Sequence, residues 1–260
     1  MKNQKRKLLS QNFLHSRKLV KKLILNSSIG KADTILEIGA GKGIITQELI
    51  QSAKNVIGIE LDNHWYNYLQ AKFKGTSNLK LYNADFLNFP LPDTPYKVFA
   101  NIPFSIEGKI IRKLIDAKNP PEDCFLIMMR ELVYRLAAPY KENQFSITHK
   151  PWFELSIEYN FSKKDFTPFS NVDVAMIRFK KREIPLLKWA YKQEYQLFVE
   201  ESFKYGMPIF KNLKTKYGYK PTLSAFTKVG INKNAKPSYL SFSQWIKLYE
   251  KLIFYPPLTS

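Results

Sequence analysis

Short apolar runs alternate with stretches of helical period through the first two thirds of the chain. Thr34–Ile38, Val56–Ile59, Leu79–Tyr82, Val98–Ala100 and Phe125–Met129 are compact hydrophobic runs that predict strands. Between them, residues 44–53, 64–73, 106–117 and 131–138 carry helical spacing; in the third, Ile106, Ile110, Ile111, Leu114 and Ile115 fall on one face. Strand alternating with helix predicts βαβ units and a parallel, doubly wound sheet, an α/β fold. Ahead of them, Leu19, Val20, Leu23 and Ile24 repeat behind Ser16, a residue type that caps helix N-termini, and Arg17, Lys18, Lys21 and Lys22 are mostly left for the outer face. The pattern predicts a basic amphipathic helix over 16–26.

After Lys150 the order changes. Residues 153–161 and 172–179 read as two strands joined by a Pro-containing stretch, 165–171, with no helical pattern, so they are expected to pair antiparallel at the sheet edge. From Lys181 onward the pattern is helical, aromatic and lysine-rich, clearest over 189–205 and 243–254. This places a boundary near Lys181–Pro185, with a main α/β domain at 1–181 and a small all-helical domain at 182–260, a division that suits a chain of 260 residues.

Charge narrows the partner. The chain holds 41 Lys and Arg against 22 Asp and Glu, a net charge of +19, and the excess is concentrated: residues 1–22 hold eight basic residues and no acid, as do residues 204–236. That distribution favours a polyanion, nucleic acid before a membrane surface. No apolar run is long enough to span a bilayer, and Met1–Leu9 is followed by Ser10-Gln11-Asn12 rather than an apolar signal core, so a soluble cytoplasmic protein is expected. One cysteine, Cys124, and three scattered histidines predict neither disulfide nor metal site. With no coiled-coil seam, a monomer is expected.

The chemistry gathers at strand ends. The first long strand runs into Glu37-Ile38-Gly39-Ala40-Gly41-Lys42-Gly43 and then a helix, the arrangement in which an α/β sheet receives a nucleotide-like cofactor. The third glycine falls at 43 while Ile44 occupies the place a dinucleotide fingerprint would require, which argues against a pyrophosphate ligand. Glu60 closes the next strand 21 residues after Gly39, the separation at which a carboxylate reaches ribose hydroxyls. Asp85 follows the third strand and can read an exocyclic amine or cap a turn. The fourth strand ends in Asn101-Ile102-Pro103-Phe104. An adenine N6 lone pair is delocalised into the ring, so methylating it requires acceptors that orient both N6 hydrogens. Asn101 and the Ile102 carbonyl, stiffened by Pro103, offer them, and Phe104 offers a face for an unstacked base.

Gln11-Asn12-Phe13-Leu14, the glycine loop, Glu60, Asp85 and Asn101–Phe104 together resemble the rRNA adenine N6-dimethyltransferase family, and the likeness extends to Arg130–Arg135, Phe166-Thr167-Pro168 and Val172-Asp173-Val174. The resemblance implies a Rossmann-like class I methyltransferase domain and S-adenosylmethionine as cofactor. It implies contacts to that cofactor from Gln11, Asn12, Leu14, Gly39, Gly41, Glu60, Leu61, Asp85, Phe86 and Asn101, and a catalytic wall of Asn101, Ile102, Pro103 and Phe104. Ile102 and Phe104 look like the branch that methylates 23S rRNA, as free RNA or an assembly precursor, and confers resistance to macrolides, lincosamides and streptogramin B. The small-subunit (16S) branch typically has leucine and tyrosine there. Other readings are a non-catalytic RNA-binding protein on the same scaffold, a DNA adenine methyltransferase, for which proline would be expected in place of Ile102, and a nicotinamide-dependent dehydrogenase, disfavoured by Ile44.

Overall fold

The computed structural model describes residues 13–138, 141–205 and 208–253. Gln11, Asn12 and the four most N-terminal basic residues lie outside them. In chain order the elements are β1 (Phe13–Leu14), α1 (Arg17–Leu25), β2 (Thr34–Ile38), α2 (Ile44–Ser52), β3 (Asn55–Glu60), α3 (Asn63–Lys72), β4 (Leu79–Asn83), β5 (Lys97–Asn101), α4 (Glu107–Ile115), β6 (Asp123–Met129), α5 (Arg130–Ala137), α6 (Gln144–His149), β7 (Phe153–Asn160), β8 (Phe166–Thr167) and β9 (Val174–Lys181). The helices α7 (Lys192–Phe203), α8 (Ile209–Tyr217), α9 (Tyr219–Val229) and α10 (Phe242–Ile253) complete the order.

Seven strands form one sheet in the order β4-β3-β2-β5-β6-β9-β7. β2 pairs in parallel with both β3 and β5, β3 with β4 and β5 with β6, while β9 runs antiparallel to β6 with Met129 opposite Val174. The connection order reverses between β2 and β5, which opens a crevice beyond their C-terminal ends. The last two strands are neighbours as expected, but β9 is inserted beside β6 and only β7 lies at the edge. The segment between them also holds β8, which pairs with β1. That two-residue ladder has no periodicity of its own to read.

Sequence dictates these elements through burial. The β6 run Asp123–Met128 is buried throughout, as a central strand covered on both faces must be. In α1, Val20, Leu23 and Ile24 are buried, and the Ser16 hydroxyl accepts the Leu19 N–H at 3.2 Å. Arg17 pairs with Glu48 of α2, so this cation of the basic helix is engaged within the protein, whereas Lys18, Lys21 and Lys22 are exposed.

Backbone packing divides the chain differently from the expected cut at 181/182. One unit comprises Met1–Val133 and Ser156–Lys181, the other Tyr134–Leu155 and Arg182–Ser260. Residues 134–155, expected in the first domain, belong with the helical unit because Trp152 is fully buried there, 5.9 Å from the Trp189 ring and 5.7 Å from that of Tyr195. The core of that unit continues through Phe198, Trp245 and Tyr249, aromatic rings that meet edge-on or tilted.

Candidate active site

The C-terminal ends of β2, β3, β4 and β5 surround a cleft. β2 and its loop contribute Ile38, Gly39 and Gly41; β3 contributes Ile59, Glu60 and Leu61; the turn after β4 contributes Ala84, Asp85 and Phe86; β5 and its turn contribute Asn101–Phe104 and Ile106. The strand-end residues singled out in the sequence are therefore brought to one place, with apolar walls and few polar groups, as small-molecule sites are built.

Two glycines shape the loop after β2. Gly41 has φ +52°, and a Cβ there would lie 2.6 Å from the Phe13 ring, which also lines the cleft. Gly43, at φ +72°, begins α2, where a side chain would collide with Leu69 and Phe73. The second glycine thus admits the Phe13 ring against the loop, and the third the packing of α2 against α3. A Cβ on Gly39 would lie 3.8 Å from the Asn101 carbonyl oxygen, so the glycine loop and the tetrapeptide face each other directly.

Glu60 is only 3% exposed. Its Oε2 accepts the Gly41 N–H and its Oε1 the Asp62 N–H, both at 2.8 Å. Burial raises its pKa from the ordinary carboxylate value, opposed by those two N–H donors. The two carboxylate oxygens together offer more acceptor sites than these backbone donors fill. Asp85 has two parts to play: its Oδ1 accepts the Leu87 N–H at 2.9 Å, shaping the turn, while the residue also lines the cleft. The turn is braced by Lys113 of α4, whose Nζ donates to the Leu87 and Phe89 carbonyls at 2.9 and 2.6 Å and lies 5.2 Å from the Phe86 ring. Burial lowers the pKa of Lys113.

In the tetrapeptide, Ile102 is buried and its N–H donates to the Ile127 carbonyl at 3.2 Å. Pro103 sits at φ −62°, ψ 123°, and its carbonyl accepts the Ile106 N–H in the following turn. Phe104 is half-buried and packs on the core group that holds Phe161, Phe166 and Val174. The residue after the turn, Glu107, accepts the Met129 N–H at 2.7 Å through Oε1, tying the start of α4 to the end of β6; burial pushes its pKa up to about 7.

Leu14 does not line the cleft: it is 3% exposed and packs in the core, because side chains alternate along the short β1 and its neighbour Phe13 takes the cleft side. Phe13 was not read from the sequence as a site residue, nor was its setting, with the Trp65 ring 5.3 Å away and the Lys42 ammonium 4.9 Å from its centroid. Among the described residues, no group of three or more His, Cys, Asp or Glu is placed to hold a metal ion, and no helix is long and apolar enough to cross a membrane.

Comparison with known proteins points the same way. A family model described as "Ribosomal RNA adenine dimethylase" matches residues 2–253. An rRNA adenine N-6-methyltransferase of Bacteroides fragilis is 28% identical over 245 residues, covering 94% of this chain and 92% of that protein. A ribosomal RNA small subunit methyltransferase A of Lactococcus lactis subsp. lactis is also 28% identical, over 268 residues, covering 95% and 90%. Among solved structures, the 23S rRNA methyltransferase ErmE superposes with a TM-score of 0.83 at 28% identity, covering 93% of this chain and 99% of that one.

Proposed function

Because this chain belongs to the ribosomal RNA adenine dimethylase family, an rRNA adenine N6-methyltransferase family that uses S-adenosylmethionine, we propose that its substrate is one adenine of 23S rRNA. The product is N6-dimethyladenine, and the outcome is resistance to macrolides, lincosamides and streptogramin B. The observation that carries the large-subunit choice is the tetrapeptide Asn101-Ile102-Pro103-Phe104 at the cleft, with isoleucine second and phenylalanine fourth. The likeness to ErmE supports it. The small-subunit alternative is kept in view by relatives such as the Lactococcus lactis protein, at the same identity as the Bacteroides one.

The cleft fits the cofactor: Gly41 lets the Phe13 ring close against the glycine loop, Glu60 offers a buried strand-end carboxylate, and Leu61 and Phe86 offer apolar surface. When bound, S-adenosylmethionine supplies an electrophilic methyl group. Glu60 would hold the ribose hydroxyls, Asp85 the exocyclic amine of the cofactor's own adenine, and Gly39 and Gly41 would let the backbone approach. Asn101 and the Ile102 carbonyl accept the two N6 hydrogens of the target adenine, turning its lone pair toward the cofactor. Pro103 fixes that acceptor wall, and Phe104, its underside held by the core, stacks the flipped base. No strong base is assigned, because positioning supplies most of the rate. Methyl transfer leaves N6 positively charged, and loss of one N6 hydrogen as a proton to solvent restores a neutral N6 with one hydrogen and a lone pair, so an acceptor of the same wall orients a second transfer. Exposed Lys18, Lys21 and Lys22 of α1 and the lysines of residues 204–236 would neutralise phosphates, making affinity salt-sensitive.

The test is transfer of labelled methyl from S-adenosylmethionine to protein-free 23S rRNA and, in parallel, to small ribosomal subunits, with nucleoside mass spectrometry of the product. Dimethyladenosine in 23S rRNA alone supports the proposal. Label in the small subunit alone reassigns the substrate while leaving the active-site roles intact, and label in neither refutes the enzymatic reading.

A further inference from the structure

We propose that Phe169 is a stacking platform for an unpaired nucleotide flanking the target adenine within a few positions, with Arg130, Lys163 and Lys164 engaging the adjoining phosphates. The inference deepens the functional reading above and rests on it. Isolated exposed apolar side chains are common, so position and surroundings carry more weight than exposure. Phe169 is 67% exposed, whereas the other rings between β7 and β9, Phe161 and Phe166, are buried.

A structured loop presents the ring. Ser170 is 3% exposed; its hydroxyl donates to the Val172 carbonyl at 2.7 Å and accepts the Val172 N–H at 3.3 Å, and its own N–H donates to the Lys163 carbonyl at 3.3 Å. At the end of the loop, the Arg130 N–H donates to the Asp173 carbonyl at 2.8 Å, and the Arg130 guanidinium pairs with the Asp173 carboxylate. Anchored at Ser170 and Asp173, the loop holds Phe169 toward solvent.

Strand register puts that loop beside the reactive turn. Asn101 is opposite Ile127 on β6, and Met129, two residues further along the same strand, is opposite Val174, the first residue of β9. With strands about 4.8 Å apart and a rise of about 3.3 Å per residue, Val174 lies roughly 12 Å from Asn101 at the same end of the sheet. A few nucleotides of an extended single strand cover such a distance. Arg130 and Lys163 share one carboxylate, Asp173, with Lys163 Nζ 3.8 Å from it, exposed Lys164 follows Lys163 in the chain, and the Asp165 carboxylate next to them accepts the Ser162 N–H at 2.8 Å, so three cations stand against two acids. An exposed ring inside a net positive patch matches the chemistry of single-stranded RNA, whose bases stack on aromatic faces while cations track the backbone.

The experiment measures methyl transfer to whichever rRNA accepts label from the wild-type protein, with RNA varied at saturating S-adenosylmethionine. Binding of a fluorescent single-stranded RNA oligomer is measured in parallel. Loss of one stacked base predicts that Phe169→Ala raises the KM for RNA roughly tenfold, with kcat within about twofold. The calorimetric Kd for S-adenosylmethionine should not change. Phe169→Tyr and Phe169→Trp should restore the wild-type KM and Phe169→Leu should not, because stacking requires a π face. Lys163→Gln and Lys164→Gln should each flatten the salt dependence of RNA affinity. An unchanged KM in Phe169→Ala, or full rescue by Leu, overturns the proposal while leaving the enzymatic reading intact. If the wild type methylates no rRNA, the functional reading fails on its own, and the oligomer affinities still decide whether Phe169 binds RNA.

Discussion

Glu37 should make the stability of this protein fall as pH rises through neutrality, and Glu37→Gln should remove that part of the fall. The side chain is 1% exposed at the end of β2, with Oε2 buried and lacking a hydrogen-bond partner. Burial pushes its pKa from 4.5 up to about 8, Thr46 opposes the shift less strongly, and the nearby Glu60 charge adds to it. In the unfolded chain Glu37 loses its proton near the ordinary value, while in the folded chain it keeps the proton to about pH 8. Between the two values the folded state binds more protons, so stability declines with rising pH and levels off above the folded pKa. A difference of about 3.5 pH units corresponds to a loss on the order of 5 kcal/mol when complete, of which about 2 kcal/mol falls between about pH 6 and about pH 8. The assay is urea unfolding of the full chain and of Glu37→Gln across that range. The glutamine brings an amide into the same site at a cost that does not vary with pH, so the slope is the readout and not the absolute stability. Glu107, whose pKa is pushed to about 7, adds its own slope to both proteins and cancels in the difference. Parallel curves would mean that Glu37 ionises in the folded state as it does in water, and the burial argument would be wrong.

Other expectations concern the site and its support. Glu60→Ala should weaken S-adenosylmethionine binding by roughly tenfold or more, read by calorimetry, since it removes a charged acceptor; an unchanged Kd would mean that other groups hold the ribose. Asn101→Ala should lower kcat by about a hundredfold or more at an unaltered melting temperature, and unchanged turnover would sink the roles assigned to the tetrapeptide. Phe104→Ala should act mainly on the KM for RNA, by roughly tenfold; a pure kcat defect would show that the ring aligns rather than captures. Asp123 is 3% exposed, accepts from Arg178 at 2.6 and 2.9 Å and from the Ser28 hydroxyl at 2.6 Å, so Asp123→Ala should cost about 3 kcal/mol in urea unfolding by breaking a buried, hydrogen-bonded ion pair. A loss under about 1 kcal/mol would mean that the arginine finds water at no cost.

Elements with a long run of one periodicity were legible before the structure. Thr34–Ile38 is a strand with the expected bounds, and the helix expected at 44–53 occupies Ile44–Ser52, because apolar spacing there is set by one buried face. Elements without such a run were not legible. β1 and β8 have two residues each and exist only as each other's partners. α6 is a six-residue helix stabilised by a reciprocal cap, the Asn143 side chain accepting the Ser146 N–H and Ser146 answering the Asn143 N–H. The membership of residues 134–155 was hidden for a related reason: what recruits them is the burial of Trp152 among aromatic rings more than 35 residues later in the chain, and no local pattern records that.

The candidate site divides along the same line. In a parallel sheet every strand delivers its last residues to the same edge, so a short run at a strand end is placed in three dimensions once the strand is recognised. Gly39, Glu60, Asp85 and Asn101 meet at one cleft for that reason, and their spacing along the chain could be read as spacing across the sheet. Phe13 and Lys113 enter by another route, one from a strand added outside the main sheet and one from the face of a helix, so their place near the cleft depends on packing that neither residue's neighbours reveal. For Phe13 the sequence carries no periodicity to read, because β1 has two residues and exists only through its pairing with β8. For Lys113, a cation set among Ile110, Ile111 and Leu114 on an amphipathic helix reads as a solvated flank until the turn it braces is known.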